Sequence, residues 1–470
     1  MFLSPCQNAC PAGVNVPGYV ALIAAGRPRD AYFLVRKDNP FPAICGRVCT
    51  HPCESKCRRA QLDEPVAICD LKRYAADYFF ANEEPHMDLV FPKKSESVGV
   101  IGAGPSGLTA AYYLARLGYG VTVYEALPVA GGMLASGIPQ YRLPREILAK
   151  EIRMIEQVGV KIELNCEVGR DIKFDDLRAR HNAVYVATGT QFPNRADLPG
   201  EDKEGVIHGL SFLKEVNLGR PVTIGKRVAV IGGGSTAFDA ARTAVRLGAE
   251  KVTILYRRLI EDMPADAREI KEALEEGIEI KQLVSPVAFE GNGAVTGVRC
   301  VRMELRGFDD SGRRKPRVVP NSEFVVEADT IIPAISQHSD LPFIEQEEVK
   351  MTRWGTLVVD YQTMMTSIPG VFAGGDVVRG PDVVIRAIAD GKQAARAIDR
   401  YLGGSGILNT GEEIEIPKPS DEKDVAEHER FPMRFRDPET RKHTNEEVAV
   451  GFHKLNAIAE AMRCLRCDRR

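Results

Sequence analysis

Ser97-Val98-Gly99-Val100-Ile101-Gly102-Ala103-Gly104-Pro105-Ser106-Gly107 decides the fold of this chain. A short apolar run breaks on glycine and gives way to a helical stretch, Ser106–Leu117, which is the opening of a βαβ unit. Gly102 permits the tight turn, Gly104 lets the backbone approach a pyrophosphate, and Gly107 lets helix and strand touch. The helix start around Pro105 and Ser106 offers free N–H groups and a partial positive charge to phosphates. A second strand, Val121–Tyr124, ends on Glu125, where a carboxylate accepts ribose hydroxyls. Strand, turn, helix and terminal acid together predict a bound FAD.

The pattern repeats downstream. Val228–Ile231 leads into Gly232-Gly233-Gly234-Ser235-Thr236-Ala237, a helix over Thr236–Leu247 and a strand over Val252–Tyr256. This strand ends on Arg257 and Arg258 instead of an acid. A carboxylate there would repel a 2′-phosphate, whereas guanidinium groups bind one bidentately, so NADP(H) is favoured over NAD(H). An internal repeat of this kind means two nucleotide-binding units in one chain.

Two further stretches belong to the first unit. Val184-Tyr185-Val186-Ala187-Thr188-Gly189 reads as the strand and turn where the chain crosses between domains. Val371-Phe372-Ala373 followed by Gly374-Gly375-Asp376 reads as a late strand whose acid holds the ribityl chain of a flavin. The helix after it, from about Val383 to Tyr401, can aim its N-terminus at the flavin pyrimidine and stabilise negative charge on the reduced ring.

Outside residues 97–401 the cysteines dominate. The chain has 11, seven within the first 69 residues and two within the last seven. Cys6-x3-Cys10-Pro11 opens the sequence, Cys45-x3-Cys49-x3-Cys53-x3-Cys57 follows, Cys69 lies on a helix over Val66–Phe80, and Cys464-x2-Cys467 closes it. Clustered cysteines in a large protein without secretory features point to metal or redox sites, not to a disulfide framework. Iron–sulfur clusters take such thiolates, and the ligands of two-cluster proteins interleave along the sequence. Zinc also takes four cysteines, but it cannot carry electrons away from a flavin. Cys45, Cys166 and Cys300 read as small buried hydrophobes.

The length of 470 residues accommodates two to four domains. The formal net charge of −3 excludes a general nucleic-acid or acidic-membrane binder. No apolar run reaches membrane-spanning length, and no secretory signal opens the chain, so the cytoplasm is expected. Short helices over Val16–Ala25 and Pro28–Lys37 make residues 1–95 a helical, cysteine-rich domain that ends in a linker over Asn82–Glu96. Residues 96–215 and 346–405 form the FAD-binding domain and 216–345 the NADP(H)-binding domain. Residues 406–470 form a wandering polar tail that ends in a helix over Lys454–Met462. The predicted fold class is α/β, with two Rossmann-like domains and an N-terminal α-helical iron–sulfur domain.

Further stretches carry a family resemblance. They are Asn39-Pro40-Phe41-Pro42-Ala43-Ile44-Cys45-Gly46-Arg47-Val48-Cys49, Glu64-Pro65-Val66-Ala67-Ile68, Gly131-Gly132-Met133, Gly137-Ile138-Pro139-Gln140-Tyr141-Arg142-Leu143-Pro144, and Met263-Pro264-Ala265 after Tyr256-Arg257-Arg258. Over essentially its whole length the chain resembles the small (beta) subunit of glutamate synthase. The same family includes the N-terminal half of dihydropyrimidine dehydrogenase and the large subunit of ferredoxin–NADP transhydrogenase. The resemblance implies glutathione-reductase-like FAD and NADP domains, and it adds Gly132 and Arg142 to the cofactor-binding residues. It also implies two [4Fe-4S] clusters, one on Cys6, Cys57, Cys464 and Cys467, the other on Cys10, Cys49 and Cys53.

Two departures stand out. The segment Glu-Ala-x-Arg-Cys-Leu-x-Cys, which in relatives precedes the first cysteine pair, stands here at Glu460–Cys467, so the tail is expected to return to the N-terminal domain or reach a neighbouring chain. Relatives carry Gln or Glu as a further ligand where this chain has Lys72. Cys69, one turn earlier, is expected to replace it. Ile335-Ser336-Gln337 also differs from the Ile-Gly-Gln usual beside the flavin.

The expected activity is hydride exchange between NADP(H) and FAD, a matter of positioning that requires no side-chain acid or base. Single electrons would then pass through the clusters to a partner subunit of a multisubunit complex. That partner could be ferredoxin-like, flavin-containing, or like the glutamate synthase large subunit. Alternatives are a bifurcating transhydrogenase subunit, glutamate synthase proper and a zinc-stapled interaction subunit. A thioredoxin-reductase-like activity is disfavoured, because residues 98–400 hold only Cys166 and Cys300.

Overall fold

The computed structural model describes residues 3–83, 92–309, 312–345, 348–408, 413–418 and 427–469. Most of the expected linker, 84–91, lies outside the described residues.

The N-terminal domain is built on helices Val16–Ala24, Pro28–Arg36, Pro42–Val48 and Ile68–Asn82. Three of them carry proline in the first turn, where its missing N–H would have had no helical partner. Asn15 caps the first by accepting from Gly18 N at 3.0 Å. Tyr32 stacks on Phe79 with ring centroids 4.1 Å apart, joining the second and fourth helices. Helix Pro42–Val48 crosses helix Ile68–Asn82 at Gly46, where a Cβ would stand 2.6 Å from Arg73 Cα. That contact explains a glycine between Cys45 and Cys49.

The first Rossmann-like sheet has five parallel strands in the order Val371–Ala373, Ala183–Val186, Ser97–Ile101, Gly120–Tyr124, Lys161–Glu163. The three central strands are apolar on both faces because helices cover both. Helix Val384–Tyr401 lies along helix Pro105–Arg116, and Gly391 allows the close approach at Ser106. The second sheet runs Thr330–Pro333, Arg227–Ile231, Lys251–Tyr256, Glu279–Gln282, again parallel. Between Gln282 and Thr330 the chain makes an antiparallel excursion of strands Val284–Glu290, Gly297–Phe308, Arg314–Val318 and Phe324–Glu327. The sequence reading had no element there.

The helical domain is fixed to the first sheet by two buried charges. Glu151, on helix Arg145–Glu156, accepts from Ala43 N at 2.9 Å and Ile44 N at 3.0 Å, capping the helix that carries Cys45. Burial pushes this carboxyl up to about 7, against the pull of those two N–H groups. Lys392 donates to Ala12 O at 2.9 Å and Asp38 Oδ1 at 2.5 Å.

The described parts of the tail, 413–418 and 427–469, are tied to the body by contacts distant in sequence. Arg430 pairs with Glu54 at 2.9 Å, and Val448 N donates to Tyr141 O at 2.9 Å. Arg441 reaches the buried Glu276 at 3.0 Å, and Arg242 and Arg246 meet the same carboxylate at 2.6 and 2.7 Å. Among the described residues no helix is long and apolar enough to cross a membrane.

Candidate cofactor and metal sites

Both glycine turns end on helices whose first N–H groups have no side-chain cap. Helix Pro105–Arg116 starts after Gly104 and helix Ser235–Arg246 after Gly234. Uncapped N-termini of this kind accept phosphate oxygens. Gly102 has φ +102°, and a Cβ on it would sit 2.6 Å from Ala187 O. A Cβ on Gly104 would meet nothing closer than Gly132 Cα at 4.0 Å, so space lies open on the Cβ side of Gly104, whereas a Cβ on Gly132 would stand 2.8 Å from Gly104 Cα. Glu125 closes the turn, accepting from Ala103 N at 2.8 Å and Leu127 N at 2.9 Å. Ser106 Oγ lies 2.7 Å from Tyr185 OH, so its hydroxyl belongs to the domain core and only its backbone faces the turn.

The end of strand Ala183–Val186 and the start of helix Asp376–Arg379 complete the first site. Thr188 Oγ1 is buried without a hydrogen-bond partner beside Gly189, which has φ +70°. Gly375 N donates to Asp390 Oδ2 at 3.0 Å, which leaves Asp376 free of that role. Burial pushes Asp376 up to about 7, partly offset by the Asp382 backbone N–H and the Thr190 hydroxyl. An orphaned hydroxyl, an uncapped helix start after Gly104 and a desolvated carboxyl fit a polar, phosphate-bearing ligand such as FAD, whose ribityl and phosphate groups would satisfy them.

In the second site Ser235 is exposed and Thr236 half-buried at the helix start. The two arginines separate. Arg257 is exposed, whereas Arg258 is buried, donating to Arg314 O at 2.7 Å and pairing with Asp309 at 2.6 Å. Arg258, expected to meet the 2′-phosphate, here anchors the antiparallel excursion, and Arg257 is the exposed guanidinium of the pair. Arg142, expected among the cofactor-binding residues, is held by Asp239 at 2.8 and 2.7 Å and by Glu269, both from the second Rossmann-like unit, and so joins the two units.

The cysteines gather at two cavities. One is lined by Cys6, Cys57, Cys464 and Cys467, from both ends of the sequence and within one chain. The other is lined by Cys10, Cys49 and Cys53, with Tyr19, Lys72 and Ile385. Each set lines one shared void, and such all-thiol donor sets fit iron–sulfur clusters. Cys69 lines neither cavity. Its Sγ lies 3.3 Å from Cys45 O and 3.6 Å from Gly46 O, so the structure does not bring this expected ligand to the cavity with the other three. Cys45 is fully buried; Cys300 is buried and Cys166 half-buried in other cores.

The return of the tail rests on two residues that the sequence placed in a motif without a role. Glu460, fully buried, accepts from Ala67 N at 2.8 Å and Phe431 N at 2.9 Å. Arg463 donates to Glu460 at 2.7 Å, Asp63 at 2.8 Å and Glu64 O at 2.7 Å. Glu151, which seats the Cys45–Cys49 helix, was also missed. Its signal was a lone acid within the apolar stripe Leu148, Ile152, Ile155.

Comparison with known proteins gives consistent matches. Residues 96–391 match the model of the pyridine nucleotide-disulphide oxidoreductase family, and residues 3–84 match dihydropyrimidine dehydrogenase domain II, 4Fe-4S cluster. The chain is 42% identical to the NADP(+)-dependent formate dehydrogenase subunit beta of Moorella thermoacetica, over 99% of this chain and 71% of that one. It is 41% identical to the NADPH-Fe(3+) oxidoreductase subunit beta of Geobacter sulfurreducens, over 100% and 75%. Identity to the glutamate synthase [NADPH] small chain of Azospirillum brasilense is 40%, over 84% and 86%. Among solved structures, Mycobacterium tuberculosis FprA in complex with NADPH shares the fold, with a TM-score of 0.58 at 19% identity over 66% of this chain and 85% of that one.

Proposed function

Because the chain belongs to the pyridine nucleotide-disulphide oxidoreductase family, in its glutamate-synthase-small-subunit-like branch, we propose that it exchanges hydride with NADP(H) and relays single electrons through two iron–sulfur clusters to a partner subunit. It is an NAD(P)H-dependent flavoprotein oxidoreductase with an iron–sulfur domain. The observation that carries the proposal is the second cysteine cavity. Ile385, at the start of the helix that follows Asp376, forms part of its wall, so the cavity abuts the flavin side of the first Rossmann-like unit.

Bound FAD supplies the conversion between hydride and single-electron chemistry, and the clusters supply the one-electron path. The chain holds and orients these groups. Gly104, Gly107 and the backbone of Ser106 would take the FAD pyrophosphate, Glu125 the adenosine ribose, and Thr188 and Asp376 the ribityl chain. Gly232, Gly234, Ser235 and Thr236 would take the NADP(H) pyrophosphate and Arg257 the 2′-phosphate. The residue spans 96–215 with 346–405, 216–345 and 1–95 are proposed as the FAD, NADP(H) and cluster domains. Cys6, Cys57, Cys464 and Cys467 would hold the outer cluster and Cys10, Cys49 and Cys53 the inner one.

The partner is proposed to be a redox subunit of the kind that accompanies a formate dehydrogenase or iron(III) reductase beta subunit. Similarity to those two beta subunits runs through 99% and 100% of this chain, including the returning tail, against 84% for the glutamate synthase small chain. Anaerobically purified protein is expected to contain FAD, iron and acid-labile sulfide, and NADPH should bleach its flavin band faster than NADH. Protein that binds FAD but contains zinc or no metal, with the seven cavity cysteines open to alkylation, would overturn the reading.

A further inference from the structure

The inner cavity contains a cation where a fourth ligand would be expected. Lys72 is 94% buried by its 6% exposure, and its side chain lines the void that Cys10, Cys49 and Cys53 share. The ionisable groups acting on it are the thiols of Cys49, Cys69, Cys45 and Cys53. Other cations of its helix and of the crossing helix have carboxylates: Arg73 pairs with Asp77 at 3.1 Å and Glu447 at 2.8 Å, and Arg47 with the same two. Lys72 makes no such ion pair among the described residues. A buried ammonium without a carboxylate is costly unless its surroundings become negative. Three thiolates on an iron–sulfur group would make them so.

The two other thiols acting on Lys72, Cys45 and Cys69, do not line the cavity. Cys69 Sγ is directed at Cys45 O and Gly46 O, 3.3 and 3.6 Å away, across the helix crossing that Gly46 makes possible. Cys69 N is held by Glu54 Oε1 at 2.9 Å, which fixes the backbone from which that thiol projects.

We infer that the inner iron–sulfur group is held by three thiolates only, and that Lys72 occupies its fourth corner as a fixed charge that raises its reduction potential. The inference rests on the cluster assignment proposed above. A cation in a low-dielectric pocket favours the form with one more electron, and N–H donors offered to cluster sulfurs would act in the same direction. The cluster beside the flavin-bearing unit would then be easier to reduce than the same three-thiolate cluster without the cation.

The test is a potentiometric EPR titration of anaerobically purified holoenzyme with Lys72→Met, Lys72→Arg and Cys69→Ala. Lys72→Met is expected to move the midpoint of one signal to a more negative potential and leave the other in place. Lys72→Arg, which keeps the charge, is expected to retain both midpoints. Cys69→Ala is expected to retain wild-type iron, sulfide and both signals. Unchanged midpoints in Lys72→Met, or loss of iron and one signal in Cys69→Ala, would overturn the inference. Should Lys72→Met fail to accumulate, Lys72→Leu removes the same charge without offering a ligand atom, and the Cys69→Ala iron content still decides the ligand count. Wild-type protein without either signal would instead refute the cluster assignment, which separates the two failures.

Discussion

Replacing Glu460 by alanine tests how the tail is held. The carboxylate is fully buried and serves three donors: Ala67 N, Phe431 N and Arg463. Each buried N–H left without an acceptor costs about 1–3 kcal/mol. Arg463 keeps Asp63 and the Glu64 carbonyl, so its loss is partial. A total of about 3–5 kcal/mol is therefore expected, the range for removing one partner from a buried ion pair. Because this clasp ties the helix Lys454–Met462 to Ala67, beside the apolar packing of Ala457 and Ala461, the penalty falls on docking of the tail. At about 1.4 kcal/mol per decade, the docked-to-undocked ratio should fall by about two to four orders of magnitude. Iron in anaerobically purified Glu460→Ala should drop towards half of the wild-type content, one EPR signal should vanish, and Cys464 and Cys467 should become open to alkylation. FAD content should be unchanged, because Glu125, Thr188 and Asp376 lie outside the clasp. Wild-type iron content together with unreactive Cys464 and Cys467 would refute the reasoning.

Glu276 should shape the acid limb of stability. Burial opposes its charge, but the guanidiniums of Arg242 and Arg246 outweigh that and hold it down at about 2, below the ordinary 4.5. A depressed carboxyl stabilises fully above the ordinary value and loses that contribution as pH falls from about 4.5 towards 2. Glu276→Gln should lower the melting temperature at neutral pH and flatten its fall in that window, measured by scanning calorimetry. Arg257→Ala should raise the KM for NADPH about 10- to 100-fold, the loss of one charge-assisted phosphate contact, with NADH oxidation and melting temperature unchanged. Arg258→Ala should do the reverse, lowering the melting temperature through loss of the Asp309 pair. Gly107→Ala drives a Cβ into the Gly102 carbonyl oxygen and should abolish FAD retention, read as the ratio of flavin to protein absorbance.

What was legible in the sequence was what local chemistry determines. The two glycine turns, their strands and their helices stand within one or two residues of the expected positions, since a strand that must break sharply onto a helix leaves its mark over a dozen residues. The last helix, Lys454–Met462, has the expected bounds. The misses come from partners far apart in the chain. Nothing beside Arg258 says that Asp309 will take its guanidinium, and nothing beside Arg142 announces Asp239 and Glu269. The tail looked shapeless because its order comes from Glu54, Glu276 and Ala67, none of them nearby in sequence. Position 69 was chosen by helical spacing, which fixes the face of a side chain but not its rotamer. The carbonyls exposed at the Gly46 crossing decided the rotamer.

The outer cysteine cavity has a temporal consequence. Its wall is made by residues near the start of the chain and by Cys464, Leu465 and Cys467, with two nucleotide-binding units synthesised in between. A ribosome that has completed both units has still produced a vessel with one side missing. Metal delivered before the last helix emerges would find two of the four thiols proposed to hold it, so maturation of this cavity would follow translation of the enzyme body, and a truncated product is expected to be short of iron.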